Sequence, residues 1–124
     1  MVEFALVSPL LFLMLFGVME GGWLLFHNHQ VSNAAREGAR FAVVNGAMSG
    51  TLATEATVTV AIEERVVLAN PDSLQVVLDP EDPAMEPGST LTVEVDYTHQ
   101  TLVGFIFPSA SINLSSSSTM MVHY

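Results

Sequence analysis

Histidines and clustered carboxylates are the residue types in this chain that could support chemistry. The histidines are His27, His29, His99 and His123. They do not have the spacing of a metal-ligand set, since His27 and His29 are two positions apart and would point in different directions on a helix. We therefore expect polar interface positions for the histidines and no zinc site. Cysteine is absent, which excludes disulfides, thiolate metal sites and C-x-x-C-H haem attachment.

A second candidate is the acidic segment DPEDPAMEPG, which contains Asp79, Glu81, Asp82 and Glu86. Clustered carboxylates can bind Ca²⁺. This segment lacks the ordered D-x-D-x-D-G pattern and is interrupted by three prolines, so we predict a solvated turn. The chain also lacks a G-x-S-x-G elbow, a phosphate-binding glycine-rich loop and an H-E-x-x-H motif. We expect no enzyme activity, no cofactor and no metal.

Two acidic residues, Glu3 and Glu20, interrupt a run that is otherwise almost wholly apolar. Ionisable groups in such a run are costly and are functional candidates by default. Glu20 lies near the far end of the run, where it could be solvated or protonated. No Lys or Arg precedes the run, so we expect that a basic leader has been removed, leaving an α-amino group close to Glu3.

Further along, Arg36 and Arg40 share one helix face, and Glu37 precedes Arg40 by three positions, within pairing distance. Two alternatives stay open for these charges: a solvated surface pair, or polar contacts between subunits. The whole chain has only three basic residues against 13 acidic ones, and its net charge is -10. That charge repels phosphate and anionic lipid headgroups, which excludes nucleic acid as a partner.

The element that must position these residues is a long helix. Residues 4–26 would extend about 34 Å as a helix, enough to cross a membrane. The pattern continues without a turn signal to Asn45-Gly46, which predicts a single helix from Val2 to Val44 of about 65 Å. We predict a helical stalk over residues 1–46, with 1–26 as its apolar segment, and a head over 47–124.

Small residues recur along this helix and predict close helix packing. The first set is the G-x-x-x-G pair, Gly17 and Gly21. The second recurs every four residues and consists of Ala34, Gly38 and Ala42. The apolar segment also contains residues at which it could bend or melt: Pro9, Gly17, Gly21 and Gly22.

The second half of the chain predicts one more helix and a sheet. TEATVTVAIEERVVLAN supports both helix and strand, and its length and the EER run favour a helix over residues 51–69, ended by Asn70-Pro71. Three alternating runs then predict antiparallel strands with one buried face: 74–78, 91–97 and 112–122. The fold class is therefore α+β, a small antiparallel sheet packed against the long helix and a second helix.

Two surface features remain. The apolar excursion LVGFIFP, residues 102–108, could pack on the head or contact a neighbouring subunit. Asn113-Leu-Ser115 fits the glycosylation acceptor pattern, and the hydroxyls of residues 115–119 follow it. For these hydroxyls we expect an ordinary strand surface.

The N-terminal part resembles the TadE-like pilins of bacterial tight-adherence systems, relatives of type IV pilins. The resemblance lies in the V-E-F-A-L opening, the P-x-L-x-x-L run, G-x-x-E-x-G around Glu20, and A-A-R-E-G-A-R at residues 34–40. It implies a type IV pilin-like fold and a precursor that a prepilin peptidase cleaves. It also implies extraction from the inner membrane by an ATPase-driven assembly machine.

The resemblance further implies that Glu3 neutralises the terminal amine of a neighbouring subunit in the filament core. The family often has a basic residue where this chain has Trp23, so we expect Glu20 to pair with an arginine of another subunit. The first expectation for function is a structural subunit of an extracellular homopolymer used in attachment. The alternatives are a minor pseudopilin that primes or caps a filament, and a single-pass membrane protein whose head binds a partner.

Overall fold

The computed structural model describes residues 1–105 and 110–123. They form two α-helices and a three-stranded sheet, and this arrangement confirms the predicted α+β class. The helices are α1 (Val2–Val44) and α2 (Glu55–Glu63), and the strands are β1 (Leu74–Pro80), β2 (Thr90–Gln100) and β3 (Ser111–Met121). Short 3₁₀ turns precede β1 and follow β2, at Pro71–Ser73 and Leu102–Phe105.

Helix α1 has the predicted bounds and consists of two unlike halves. Its second half buries one stripe at helical spacing, formed by His27, Val31, Ala34, Ala35, Gly38, Ala39, Ala42 and Val43. The helix ends where Asn45 turns back: its backbone amide and its side-chain Nδ2 both donate to the carbonyl of Phe41. These bonds satisfy a carbonyl that the helix end would otherwise leave without a partner.

The sheet is antiparallel in the order β1-β2-β3, so β2 is its central strand. Side chains alternate along β2, and the inward ones are buried: Leu91, Val93, Val95, Tyr97 and His99. On that same face β3 places small residues, because Ser116 lies opposite Val95 and Ser118 lies opposite Val93. The three strands confirm the three alternating runs of the sequence, with one to three residues added at most ends and with Val122 falling just after β3.

The predicted span of the second helix, residues 51–69, is wrong at both ends. The helix begins after Thr54, whose hydroxyl accepts from the amide of Thr57 while the Thr57 hydroxyl accepts from the amide of Thr54. This reciprocal capping box fixes the start. At the other end, Val66 and Leu68 pack against the core while Val67 is exposed, an alternation of period two. Residues 66–68 therefore lie outside the helix that was expected to include them.

The hydrophobic core lies between the second half of α1, α2 and the inner face of the sheet. Gly38 sits at the closest approach of these layers: a β-carbon there would lie 2.9 Å from Ile62 Cδ1 and 3.2 Å from side-chain carbons of Val58 and Val93. The head thus includes part of the long helix in its core. Of the apolar excursion 102–108, residues 106–108 lie outside the described residues.

Candidate assembly surface

The first half of α1 carries the largest apolar surface of the described chain. Every large apolar side chain from Val2 to Met19 is exposed, by 49% to 75%. The helix is long and apolar enough to cross a membrane by length and composition, and its most apolar 18-residue window has no buried residue. Because apolar side chains surround the helix on all sides, this half is suited to lipid or to a bundle of like helices and not to water.

Glu3 lies in the first turn of this half and is exposed. A carboxylate in the first turn interacts favourably with the positive end of the helix dipole. The residues predicted to bend or melt the segment lie further along, and α1 continues through all of them: Pro9, Gly17, Gly21 and Gly22. A β-carbon at any of these three glycines would meet no atom within 4 Å, so the G-x-x-x-G face is open.

The second small-residue set has its packing partners within the same chain. Ala34, Gly38 and Ala42 are all buried, and Gly38 faces α2 and β2. Small side chains at these positions let α2 and the sheet approach the axis of α1 closely. The two sets therefore differ: the first faces outward and the second builds the head.

Glu20 marks the junction between the two halves of α1. Its Oε1 lies 3.1 Å from His99 Nε2, and its Oε2 accepts from the backbone amide of Leu102 at 2.6 Å. The side chain of Glu20 is 16% exposed and that of His99 only 1%. The contact with an arginine of another subunit stays a prediction, but the carboxylate already has two donors within its own chain. One residue thus ties α1 to the segment after β2.

His27 lies next to this junction. Its ring stacks on Tyr97 with centroids 5.3 Å apart and lies 4.9 Å from the ring of His99. Its Nδ1 is 3.0 Å from the carbonyl of Trp23, while its buried Nε2 has no partner among the described residues. Burial lowers the pKa of His27 and the nearby His99 lowers it further, against the hydrogen bond to Trp23, which raises it.

The expectation of interface positions is wrong for His27 and His99, because both side chains are buried in the head. The signal that identifies them is their register. His27 is four residues before Val31 on the buried stripe of α1, and His99 follows Tyr97 by two on the inner face of β2. His29 and His123 are exposed.

The charged group on the second half of α1 is larger than the sequence indicated. Arg40 makes the predicted pair with Glu37, through two bonds of 3.0 and 3.3 Å. Arg65, which follows α2, also pairs with Glu37. Together with Arg36 these residues line a shallow groove of about 580 Å³. Spacing along the chain does not indicate Arg65, which is far from the others in sequence and reaches them because α2 packs on α1.

No group of three His, Cys, Asp or Glu side chains in residues 1–105 and 110–123 could hold a metal ion. In the acidic segment after β1, Glu81 accepts from the amide and hydroxyl of Thr90, and Asp82 accepts from the amide of Ala84. These carboxylates organise a turn. The functional features of the described chain are thus surfaces: an apolar helix, a junction and a charged groove.

Comparison with known proteins finds a family similarity in the N-terminal part. Residues 1–40 match the model of a family described as TadE-like protein. This match confirms the resemblance of the N-terminal part to that family over those residues. No curated protein and no solved structure matches the chain.

Proposed function

From an N-terminal helix that is TadE-like over residues 1–40, we infer that this chain is a pilin subunit that polymerises through that helix into an extracellular filament. One observation carries the proposal: the apolar surface that surrounds α1 from Val2 to Met19 and that no part of the described chain covers. Before assembly this surface lies in the inner membrane. After assembly it lies in a bundle made of the same segment from many copies.

The change of environment defines what drives assembly. Leaving lipid for a protein core gains little hydrophobic free energy, because lipid tails are as apolar as leucine. Packing at small residues and the pairing of polar groups therefore supply the specificity. The open face at Gly17 and Gly21 lets neighbouring helices approach closely, and Pro9 removes one backbone hydrogen bond where the helix can bend to fit its neighbours.

Glu3 supplies the polar pairing within the apolar bundle. An unpaired charge buried there costs several kcal/mol, and a partner of opposite charge offsets much of that cost. The partner is the terminal amine of the adjacent subunit, exposed once a prepilin peptidase has removed a basic leader. An ATPase-driven machine then lifts the subunit from the membrane into the growing filament.

The test is the composition of surface filaments. Filaments sheared from cells expressing the chain are purified, examined by electron microscopy and identified by mass spectrometry. We expect this chain to be their main component. A trace amount would indicate a minor pseudopilin that primes or caps the filament, and confinement to the membrane fraction would indicate a membrane protein with a partner-binding head.

Substitution of Glu3 tests the pairing. Glu3→Gln removes the charge and keeps the shape, so we expect insertion into the membrane with at least a ten-fold loss of filament yield. Glu3→Asp keeps the charge and should retain part of the yield. Equal filament yields from wild type and Glu3→Gln would contradict a role for this carboxylate in assembly.

A further inference from the structure

All three basic residues of the chain, Arg36, Arg40 and Arg65, lie in one place. They line the groove of about 580 Å³ beside α1, with Glu37 as the acidic residue among them. Three positive charges against one negative charge make this groove basic. The rest of the chain carries the other 12 of its 13 acidic residues and has no Lys or Arg. The molecule is therefore acidic with one basic surface.

Part of this basic charge is available to a partner. Glu37 accepts from both Arg40 and Arg65. Arg36 is exposed and makes no ion pair with any residue of the described ranges. The side chain of Arg40 is 67% exposed and that of Arg65 is 50% exposed. A single carboxylate holds two guanidinium groups in place, and their remaining donors face the groove.

The acidic segment Asp79–Glu86 offers the opposite charge in a different position. Met85 anchors it, since this side chain is buried and its carbonyl accepts from the amide of Ala47 at 3.1 Å. Glu81 and Asp82 hold the turn, and the Thr90 hydroxyl keeps the pKa of Glu81 below its ordinary value. Asp79 and Glu86 are exposed, with side chains that accept no hydrogen bond from the described residues.

The two surfaces lie at different heights along α1. The acidic segment is tied to Ala47, just beyond the end of the helix, whereas the basic groove surrounds residues 36–40. At 1.5 Å per residue this is a separation of about 10–17 Å along the axis. A contact between unlike surfaces of identical copies is heterologous, so it leaves one free surface at each end and continues into an open helical polymer.

We infer that the basic groove of one copy binds the acidic segment Asp79–Glu86 of a second copy, so that this contact joins adjacent heads. This inference adds a contact between adjacent heads to the proposed function, and its place in a filament rests on that function. Its physical basis is charge: copies of net charge -10 repel one another, and the groove is the one basic surface at which close approach lowers that repulsion. Guanidinium and carboxylate also pair with bidentate geometry.

A charge exchange tests the contact. Arg36→Glu and Glu86→Arg should each lower filament yield at least ten-fold, because each places like charges across the contact. Combining both in one chain should restore most of the yield. Glu94→Arg, at an exposed carboxylate on the outer face of β2, is the matched control and should leave the yield unchanged. No rescue in the combined variant, or an equal loss with Glu94→Arg, would overturn the inference.

A disulfide measurement decides the contact separately from filament formation. The chain has no cysteine of its own, so a disulfide between two copies can form only between introduced residues. Under mild oxidation, chains carrying Arg36→Cys and Glu86→Cys should form a ladder of covalent oligomers, both in filaments and in isolated membranes. The pair Glu94→Cys and Glu86→Cys should not.

The two readouts separate the two claims. In cells that carry the assembly machinery, a ladder in membranes without any filaments of this chain would support the head contact and count against the proposed function. Filaments in normal yield without the ladder would overturn the head contact and leave the pilin assignment intact.

Discussion

His27 is a buried base whose second nitrogen has no partner in residues 1–105 and 110–123, and we expect this to make the head sensitive to acid. The Nδ1–H group donates to the Trp23 carbonyl, so protonation would add a charged N–H at Nε2, in a space shared with His99. Burial lowers the pKa of His27 from its ordinary value of 6.5. The folded state then binds fewer protons than the unfolded state between the two pKa values.

The stabilisation from neutral His27 is complete above pH 6.5 and is lost as the pH falls through the folded-state pKa. We expect the melting temperature of the detergent-solubilised chain to fall over that interval, and His27→Phe to reduce the fall while keeping the stack on Tyr97. Glu20 and His99, which also lie at this site, are present in both proteins. His29→Phe, at an exposed position, is the control. Identical pH profiles for wild type and His27→Phe would contradict the assignment.

Gly38 is the residue whose size the core restricts most. A larger side chain would meet Ile62, Val58 and Val93 at once, and such overpacking costs about 1–3 kcal/mol. We expect Gly38→Leu to lower the melting temperature of the head by about 4–8 °C for each kcal/mol. Gly22→Leu, where nothing lies within 4 Å, should leave it unchanged. Equal melting temperatures for the two variants would refute this account.

At the residue scale the sequence predicted pairs on one helix and missed pairs between elements. The Glu37–Arg40 pair follows from spacing alone. Arg65, and the contact of Glu20 with His99, join residues that are far apart along the chain, so no local pattern indicates them. The burial of His27 and His99 could have been predicted from the sequence. His27 continues the buried stripe of α1 at helical spacing, and His99 continues the inner face of β2 at a spacing of two.

The stability of helix α2 depends on the hydrogen bonds of its first turn, because the helix is short. It has nine residues, and isolated helices that short are unstable in water. Its capping box satisfies backbone donors at the helix start, which would otherwise lack an intrahelical partner, so we expect Thr54→Ala to cost about 1 kcal/mol. Thr59→Ala removes a hydroxyl bonded to the Glu55 carbonyl within the helix and should change stability by less than about 0.5 kcal/mol. Chemical denaturation in detergent measures both, and equal losses would exclude the cap as the cause.

The elements that the sequence predicted best are those with one dominant period. Helix α1 has no competing signal between Pro9 and Asn45, and the strands alternate clearly. The segment 51–69 carries both periods, because Val58 and Ile62 fit a helix while Val66 and Leu68 fit an extended chain. The period changes within this one apolar run, and a prediction of one helix for the whole run could not represent that change.

At the scale of the whole molecule, Glu20 couples the head to the apolar half of α1. Hydrogen bonds to a charged acceptor contribute about 1.5–3 kcal/mol. We expect Glu20→Ala to raise hydrogen exchange at the Leu102 amide at least ten-fold, because that amide loses its acceptor. Glu94→Ala should leave this amide unaffected. Unchanged protection of Leu102 in Glu20→Ala would show that other contacts hold the segment after β2.

Because the surroundings of α1 change at Glu20, different requirements constrain the residues before and after it. The large apolar side chains before it are exposed in the part of the chain that the structure describes, so we expect a mutation there to escape a screen for folding and to be detected only by a screen for assembly. From His27 onward, a mutation of a buried residue can affect both folding and assembly, so both screens detect it. A saturation library scored for abundance and for piliation would show this as a step in tolerance within a single helix, with no break in its backbone.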